Sequence, residues 1–239
     1  KLALTAINDL VTVTSPATSL LVYNTATAGS GSLAVTPGYY YFDGTKWVAF
    51  AVNGNTNWAL LGNAGTTAGT NFLGTTDNQD LIFKRNGVQS GLLNTSMFNT
   101  SFGVGALNPI GTGMFNVAIG ISALAANTSG DQSVAVGRSA LSSNTTGQLN
   151  VALGNSALFS NTTGYRNTAS GANAMVFNTT GTENVANGFY ALHANTTGSL
   201  NTANGMQSMQ VNTTGNDNTA NGNYSLGQNT TGNRNTANG

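Results

Sequence analysis

Charge is the scarcest property of this sequence. Only 6% of its 239 residues are Asp, Glu, Lys or Arg, and with seven acidic and seven basic residues the formal net charge is zero. Ordinary globular domains carry about 25% charged residues, and so neutral a chain has no electrostatic footprint for nucleic acid or an anionic membrane surface. Cysteine is absent, which excludes disulfides, thiolate metal sites and thiol nucleophiles. The one histidine, His193, is read as a solvent-facing residue of a variable column rather than the base of a Ser-His-Asp arrangement. Asp77 and Asp80 are the only carboxylates near enough to suggest glycosidase chemistry, and they are read as turn residues. Calcium-binding β-rolls need an Asp in every unit, whereas the repeats described below hold only Asp131 and Asp217. The chain is therefore expected to be no enzyme and to need no cofactor or metal. Long apolar runs are also missing. Leu20 to Tyr23 and Tyr39 to Phe42 are strand-sized, well below the roughly 20 residues of a spanning helix, so no membrane insertion is expected. Lys1 opens the chain with no charged start and apolar run behind it, which implies an export signal already removed and an extracellular or surface location.

What the sequence has in abundance is periodic. Glycines fall at 103, 120, 137, 154, 171, 188, 205, 222 and 239, seventeen apart without a slip. A second set, from Gly113 to Gly232, keeps the same interval ten residues later. With the first glycine as position 1, the unit reads G-x-x-A-L-x-x-N-T-T-G-x-x-N-T/V-A-x. Position 5 holds Leu107, Leu124, Leu141, Leu158, Met175, Leu192, Met209 and Leu226, a core column. Position 16 is Ala118, Ala135, Ala152, Ala169, Ala186, Ala203, Ala220 and Ala237, a column confined to a methyl group. Burying one Leu stabilises by roughly 1.5 to 3 kcal/mol, but a 17-residue unit cannot cover it alone, so neighbouring units must.

Two glycines, an Asn and paired Thr interrupt the unit, which disfavours helical repeats. Short strands with Thr-Gly corners at positive φ fit instead. The expected fold is all-β: a parallel β-solenoid of 17-residue coils, preceded by small β-rich modules. Coils about 4.8 Å apart would make eight of them a rod roughly 38 Å long. Charges stacked in register would repel, by on the order of 1 kcal/mol per neighbour even in water. The exceptions at position 13 pair opposite signs in adjacent coils, Arg166 with Glu183 and Asp217 with Arg234. The Asn-Thr-Thr runs beginning at Asn144, Asn161, Asn178, Asn195, Asn212 and Asn229, with Asn-Thr-Ser at Asn127, are formal glycosylation sequons. Here they read as side-chain ladders, since a glycan on every coil would crowd its neighbours.

Positions 15 and 17 flank the confined Ala and so point to the opposite face. They begin apolar, with Val117 and Ile119, Val134 and Val136, Val151 and Leu153, and end polar, as in Thr202 and Asn204. A lone solenoid needs no apolar outer stripe, so these six are expected to contact identical chains in a homotrimer.

The runs Ser133-Val134-Ala135-Val136-Gly137 and Asn150-Val151-Ala152-Leu153-Gly154 resemble the head repeat of trimeric autotransporter adhesins, which implies a trimeric left-handed β-roll. That family's unit is shorter. The unit with Asn-Thr-Thr-Gly inserted more closely resembles repeats of tail-fibre-like surface proteins of Bacteroidetes and their phages.

Three regions follow: 1–52, β-rich with a hairpin; 53–102, a connecting β module; and 103–239, the repeats, expected to continue beyond Gly239. In the first, Tyr39 to Phe42 meets Lys46 to Phe50 across Asp43-Gly44, a strong hairpin signal. Alternation should bury half of Tyr39, Tyr40, Tyr41 and Trp47, with sugar stacking as the lesser reading. Pro16 to Asn24 with Gly38 to Val48 resembles a module of Bacteroidetes exported proteins. In the second region, Trp58, Gly62 to Thr66, Phe72 to Gln79 and the strand Leu81 to Lys84 resemble the tail-fibre-like set.

The expected function is a structural extracellular fibre or adhesin stalk that presents or spaces a tip. Its partners would be identical chains and an unidentified surface receptor or glycan. Alternatives are a tail fibre of a phage or contractile injection system, a subunit of an end-to-end filament, and, remotely, an ice-binding solenoid. Ice binding would need regular outward Thr pairs on one strand, whereas Thr-Thr here precedes the corner glycine.

Overall fold

A computed structural model describes residues 1–30, 33–50 and 73–239. The chain forms two compact units, 1–73 and 74–239. Trp58, Gly62 to Thr66 and Phe72 lie outside the described residues.

In the first unit, β1 (Leu21–Asn24), β2 (Gly38–Phe42) and β3 (Trp47–Ala49) form an antiparallel sheet in that order. The β2–β3 hairpin pairs Phe42 with Trp47, as the sequence predicts. Its turn is fastened by Asp43, whose Oδ1 accepts from the backbone N–H groups of Thr45 and Lys46, each at 2.8 Å. One sheet face packs Tyr40, Phe42 and Trp47 against Leu4 and Val35. Trp47 Nε1 donates to the carbonyl of Asp9 at 2.7 Å, so the indole loses no hydrogen bond on burial. Burial alone would push the Asp9 carboxyl up. Donation from the Thr12 side chain and backbone, and from Thr5, outweighs it and holds this group well below the usual carboxylate range.

The second unit is one continuous sheet. It begins with the antiparallel strands β4 (Leu81–Arg85), β5 (Val88–Leu93) and β6 (Thr100–Phe102). From β6 onward pairing is parallel, one three-residue strand per coil: β7 (Val117–Ile119), β8 (Val134–Val136), β9 (Val151–Leu153), β10 (Thr168–Ser170), β11 (Val185–Asn187), β12 (Thr202–Asn204), β13 (Thr219–Asn221) and β14 (Thr236–Asn238). Register is seventeen throughout, with Ala118 opposite Ala135 and Ala135 opposite Ala152. The described residues contain no α-helix. From β6 onward this unit is a parallel β-solenoid.

Its interior has an apolar and a polar layer. The position 16 alanines from Ala118 to Ala220 and the position 5 residues from Leu124 to Met209 are fully buried, with Leu107 near one end at 8% exposure. Leu226 packs against them, partly buried. Beside this layer run two asparagine columns. At position 8, Asn144 donates to Asn127 Oδ1 at 2.9 Å and Asn161 to Asn144 at 2.8 Å, and the ladder continues to Asn229. At position 14, Asn184 gives Asn167 Oδ1 both its backbone and its side-chain N–H at 3.1 Å. The second glycine of each coil points its carbonyl between the columns. Gly181 O accepts from Asn178 at 3.0 Å and Asn167 at 2.8 Å. Among the described residues no buried side-chain polar atom lacks a partner, which makes a polar interior tolerable.

Two details depart from the sequence reading. The glycine of the Thr-Gly corner is not at positive φ. It is required by close approach, because a Cβ on Gly164 would strike Asn161 Oδ1 and the carbonyl of Gly181. The left-handed residues stand instead at positions 3, 5 and 13, as Ser139 (φ 58°), Leu141 (φ 50°) and Arg166 (φ 54°) do. Each uses its N–H between coils: Ser139 N donates to Ile121 O at 2.8 Å, Leu141 N to Ala157 O at 3.0 Å and Arg166 N to Gln148 O at 3.0 Å. A left-handed non-glycine residue costs roughly 1–2 kcal/mol, much of what burying the Leu supplies. Contacts between coils therefore decide whether a coil is stable.

Candidate assembly interface

Strand alternation puts positions 15 and 17 outside and alanine inside. Val117, Val134, Val136 and Val151 are half-buried, and Ile119 and Leu153 are each 40% exposed. Cross-strand register aligns them in two columns, Val117–Val134–Val151 and Ile119–Val136–Leu153. The sheet brings all six together.

The stripe is longer than the repeats suggest. Following the register backwards, Thr100 and Phe102 stand opposite Val117 and Ile119, Leu93 and Gly91 opposite those, and Leu81 and Phe83 next. The Phe83 and Phe102 rings lie 5.3 Å apart. Gly91 makes room for them, since a Cβ there would come within 2.9 Å of the Phe102 ring. Leu81, Phe83, Leu93 and Phe102 thus carry the apolar face across the antiparallel strands. Sequence reasoning misses them because they precede the period, although the alternation of Leu81 and Phe83 carries the signal.

Beyond Leu153 the same columns turn polar except at Val185, with Thr168 and Ser170 opposite Val151 and Leu153. Asn187, Asn204, Asn221 and Asn238 form an outer ladder with amide bonds of 2.9 to 3.0 Å. Outward polar pairs do occur on one strand, but they are not the Thr pairs that ice binding would need. They are Thr with Asn, and the Asn amides are engaged with one another.

The remaining candidates resolve individually. Arg166 and Glu183 meet at 3.4 Å, an exposed pair worth about 0–1 kcal/mol. Asp217 and Arg234 share a column but form no ion pair among the described residues. Asp80 accepts from the backbone of Thr95 and the side chain of Asn94, both at 2.9 Å, fastening the β5–β6 connection. His193 is half-buried rather than simply solvent-facing, with its ring 4.4 Å from Tyr190 and 5.0 Å from Phe177. Burial holds its imidazole below the usual range. The sequon asparagines from Asn127 to Asn212 are buried in the inner ladder. Among the described residues no three His, Asp or Glu side chains are grouped to hold a metal, and no helix is long and apolar enough to cross a membrane.

Residues 1–68 match the family model described as a phage tail-like trimerisation region. No curated protein and no solved structure matches the chain.

Proposed function

We propose that this protein is a tail-fibre-like structural protein, a homotrimeric shaft of a virion or a related extracellular appendage, whose work is mechanical and not catalytic. The observation that carries the reading is the apolar double column from Leu81 and Phe83 to Val151 and Leu153 on the outer sheet face. An apolar double column repeated from strand to strand on one outer sheet face, broken only at Gly91 and Thr100, calls for a partner. Three identical stripes around a threefold axis cover one another and close the assembly. The phage tail-like trimerisation match at residues 1–68 supports three copies, and it favours a tail fibre over a cell-anchored adhesin stalk.

Light scattering on the purified chain is expected to give the mass of three copies. Replacing Val136 and Leu153 together with Asp sets six carboxylates around the axis and is expected to separate the chains along the rod. Both side chains lie on the outer face, so each chain should keep its β-sheet circular dichroism. A wild-type protein that sediments as a monomer would overturn the reading.

A further inference from the structure

The three-stranded sheet of the first unit has two apolar faces, and its own core uses only one. Tyr40, Phe42 and Trp47 face inward. The alternate residues Leu21, Tyr23, Tyr39, Tyr41 and the following Phe50 face outward, with Leu21, Tyr39 and Phe50 exposed by 54%, 56% and 64%. Register explains the grouping, since Tyr23 pairs with Tyr39 and Leu21 with Tyr41, and Phe50 N donates to Tyr39 O at 2.6 Å. The rings are already organised. Tyr23 packs edge-on to Tyr39 at 5.0 Å, and Tyr41 edge-on to Phe50 at 6.0 Å. A solvated antiparallel face alternates toward polar residues, and this one does not. Tyr and Phe gathered on a rigid strand surface are the composition of an interface centre.

We infer that this outer face of β1–β3 is the contact through which the N-terminal unit binds its own copies. The inference rests on the trimer proposed above and adds a second seam to it, separate in sequence from the solenoid stripe. The occupant is a second copy of this chain because the face lies within residues 1–68, the span that matches a trimerisation region. Leu21, Tyr39 and Phe50 also line a shallow apolar depression open to an apolar side chain of a neighbouring copy. Among the described residues the face carries no charged side chain, as expected where identical surfaces meet around an axis.

The chain has no cysteine, so one introduced thiol reports on one position. In the full chain, Tyr39→Cys and, separately, Leu21→Cys are treated at micromolar concentration with a short bis-maleimide. Thr45→Cys, at the exposed β2–β3 turn, is the control. Efficient joining of two chains at 39 and at 21 but not at 45, unchanged on tenfold dilution, is the expected result. A chain that is trimeric by sedimentation but does not cross-link at 39 or 21 overturns this inference and leaves the trimer standing. A monomeric chain overturns both. Tyr39→Lys supplies a second reading, an expected tenfold or greater weakening of self-association with retained circular dichroism; unaltered association would count against the seam.

Discussion

Asn178 donates one side-chain N–H to Asn161 Oδ1 at 2.8 Å and the other to the carbonyl of Gly181 at 3.0 Å, while its own Oδ1 accepts from Asn195 at 2.8 Å. Every polar atom of this buried amide is thereby committed inside the rod. The arrangement explains why Asn, and neither Ser nor Asp, recurs at position 8. Only an amide offers two donors and an acceptor without a charge.

Asn178→Ala would leave Asn161 Oδ1 with no donor and the Asn195 amide with one bond fewer. Each orphaned buried group costs about 1–3 kcal/mol, so the variant is expected to lose at least about 2 kcal/mol. A fall in the denaturant midpoint of the solenoid, followed by circular dichroism, checks this.

Ser133 stands where most other coils carry the position 14 asparagine. Its Oγ accepts from Asn150 N at 3.2 Å, but it cannot reach Gly147 O, which takes a side-chain bond from Asn144 alone. Ser133→Asn restores a donor to Gly147 and an acceptor for the Asn150 amide. A gain of about 1 kcal/mol is expected, read as a higher melting temperature. A lower one would show that the coil cannot accept the larger side chain.

His193 ties one part of the rod's stability to pH. Its folded pKa lies below the ordinary 6.5 because burial disfavours the charged ring. The unfolded chain thus binds the proton more readily, and stability rises with pH across the interval between the two values. The contribution is complete above about 6.5 and falls as pH drops toward the folded value. His193→Gln, the residue the next coil carries as Gln210, is expected to flatten the change in melting temperature between pH 7.5 and 5.

The seventeen-residue register and its buried columns are legible because glycine and alanine recur where close approach leaves no room for a larger side chain, with Leu or Met filling the core column between them. Leu124 and Ala135 can be assigned to their columns from the spacing alone. The backbone conformation of Leu124 cannot, because a left-handed φ at a leucine contradicts its local preference and is imposed by hydrogen bonds to neighbouring coils. The role of Gly164 was hidden similarly. Its glycine signal is real, but the cause is an Asn amide and a carbonyl one coil away. Leu81, Phe83 and Leu93 join the stripe through antiparallel pairing, outside the seventeen-residue period, whereas Phe102 keeps that period with Ile119 but stands ahead of the first repeat glycine. The outward aromatics of β1–β3 were legible as strand residues, while the face each would take depended on which side the Leu4 segment covers.

The antiparallel strands β4 and β5 bear on how the rod comes into being. Their pairing joins neighbours in sequence, so closing it sacrifices little chain entropy. Once formed, that hairpin presents a ready row of amides and carbonyls to β6, and β6 to the first coil. Synthesis from the N-terminus would deliver each later turn to an edge already in place, so the ribosome's direction and the direction of growth coincide. A shaft assembled this way need never search for its register, since the preceding layer dictates where the next one lands.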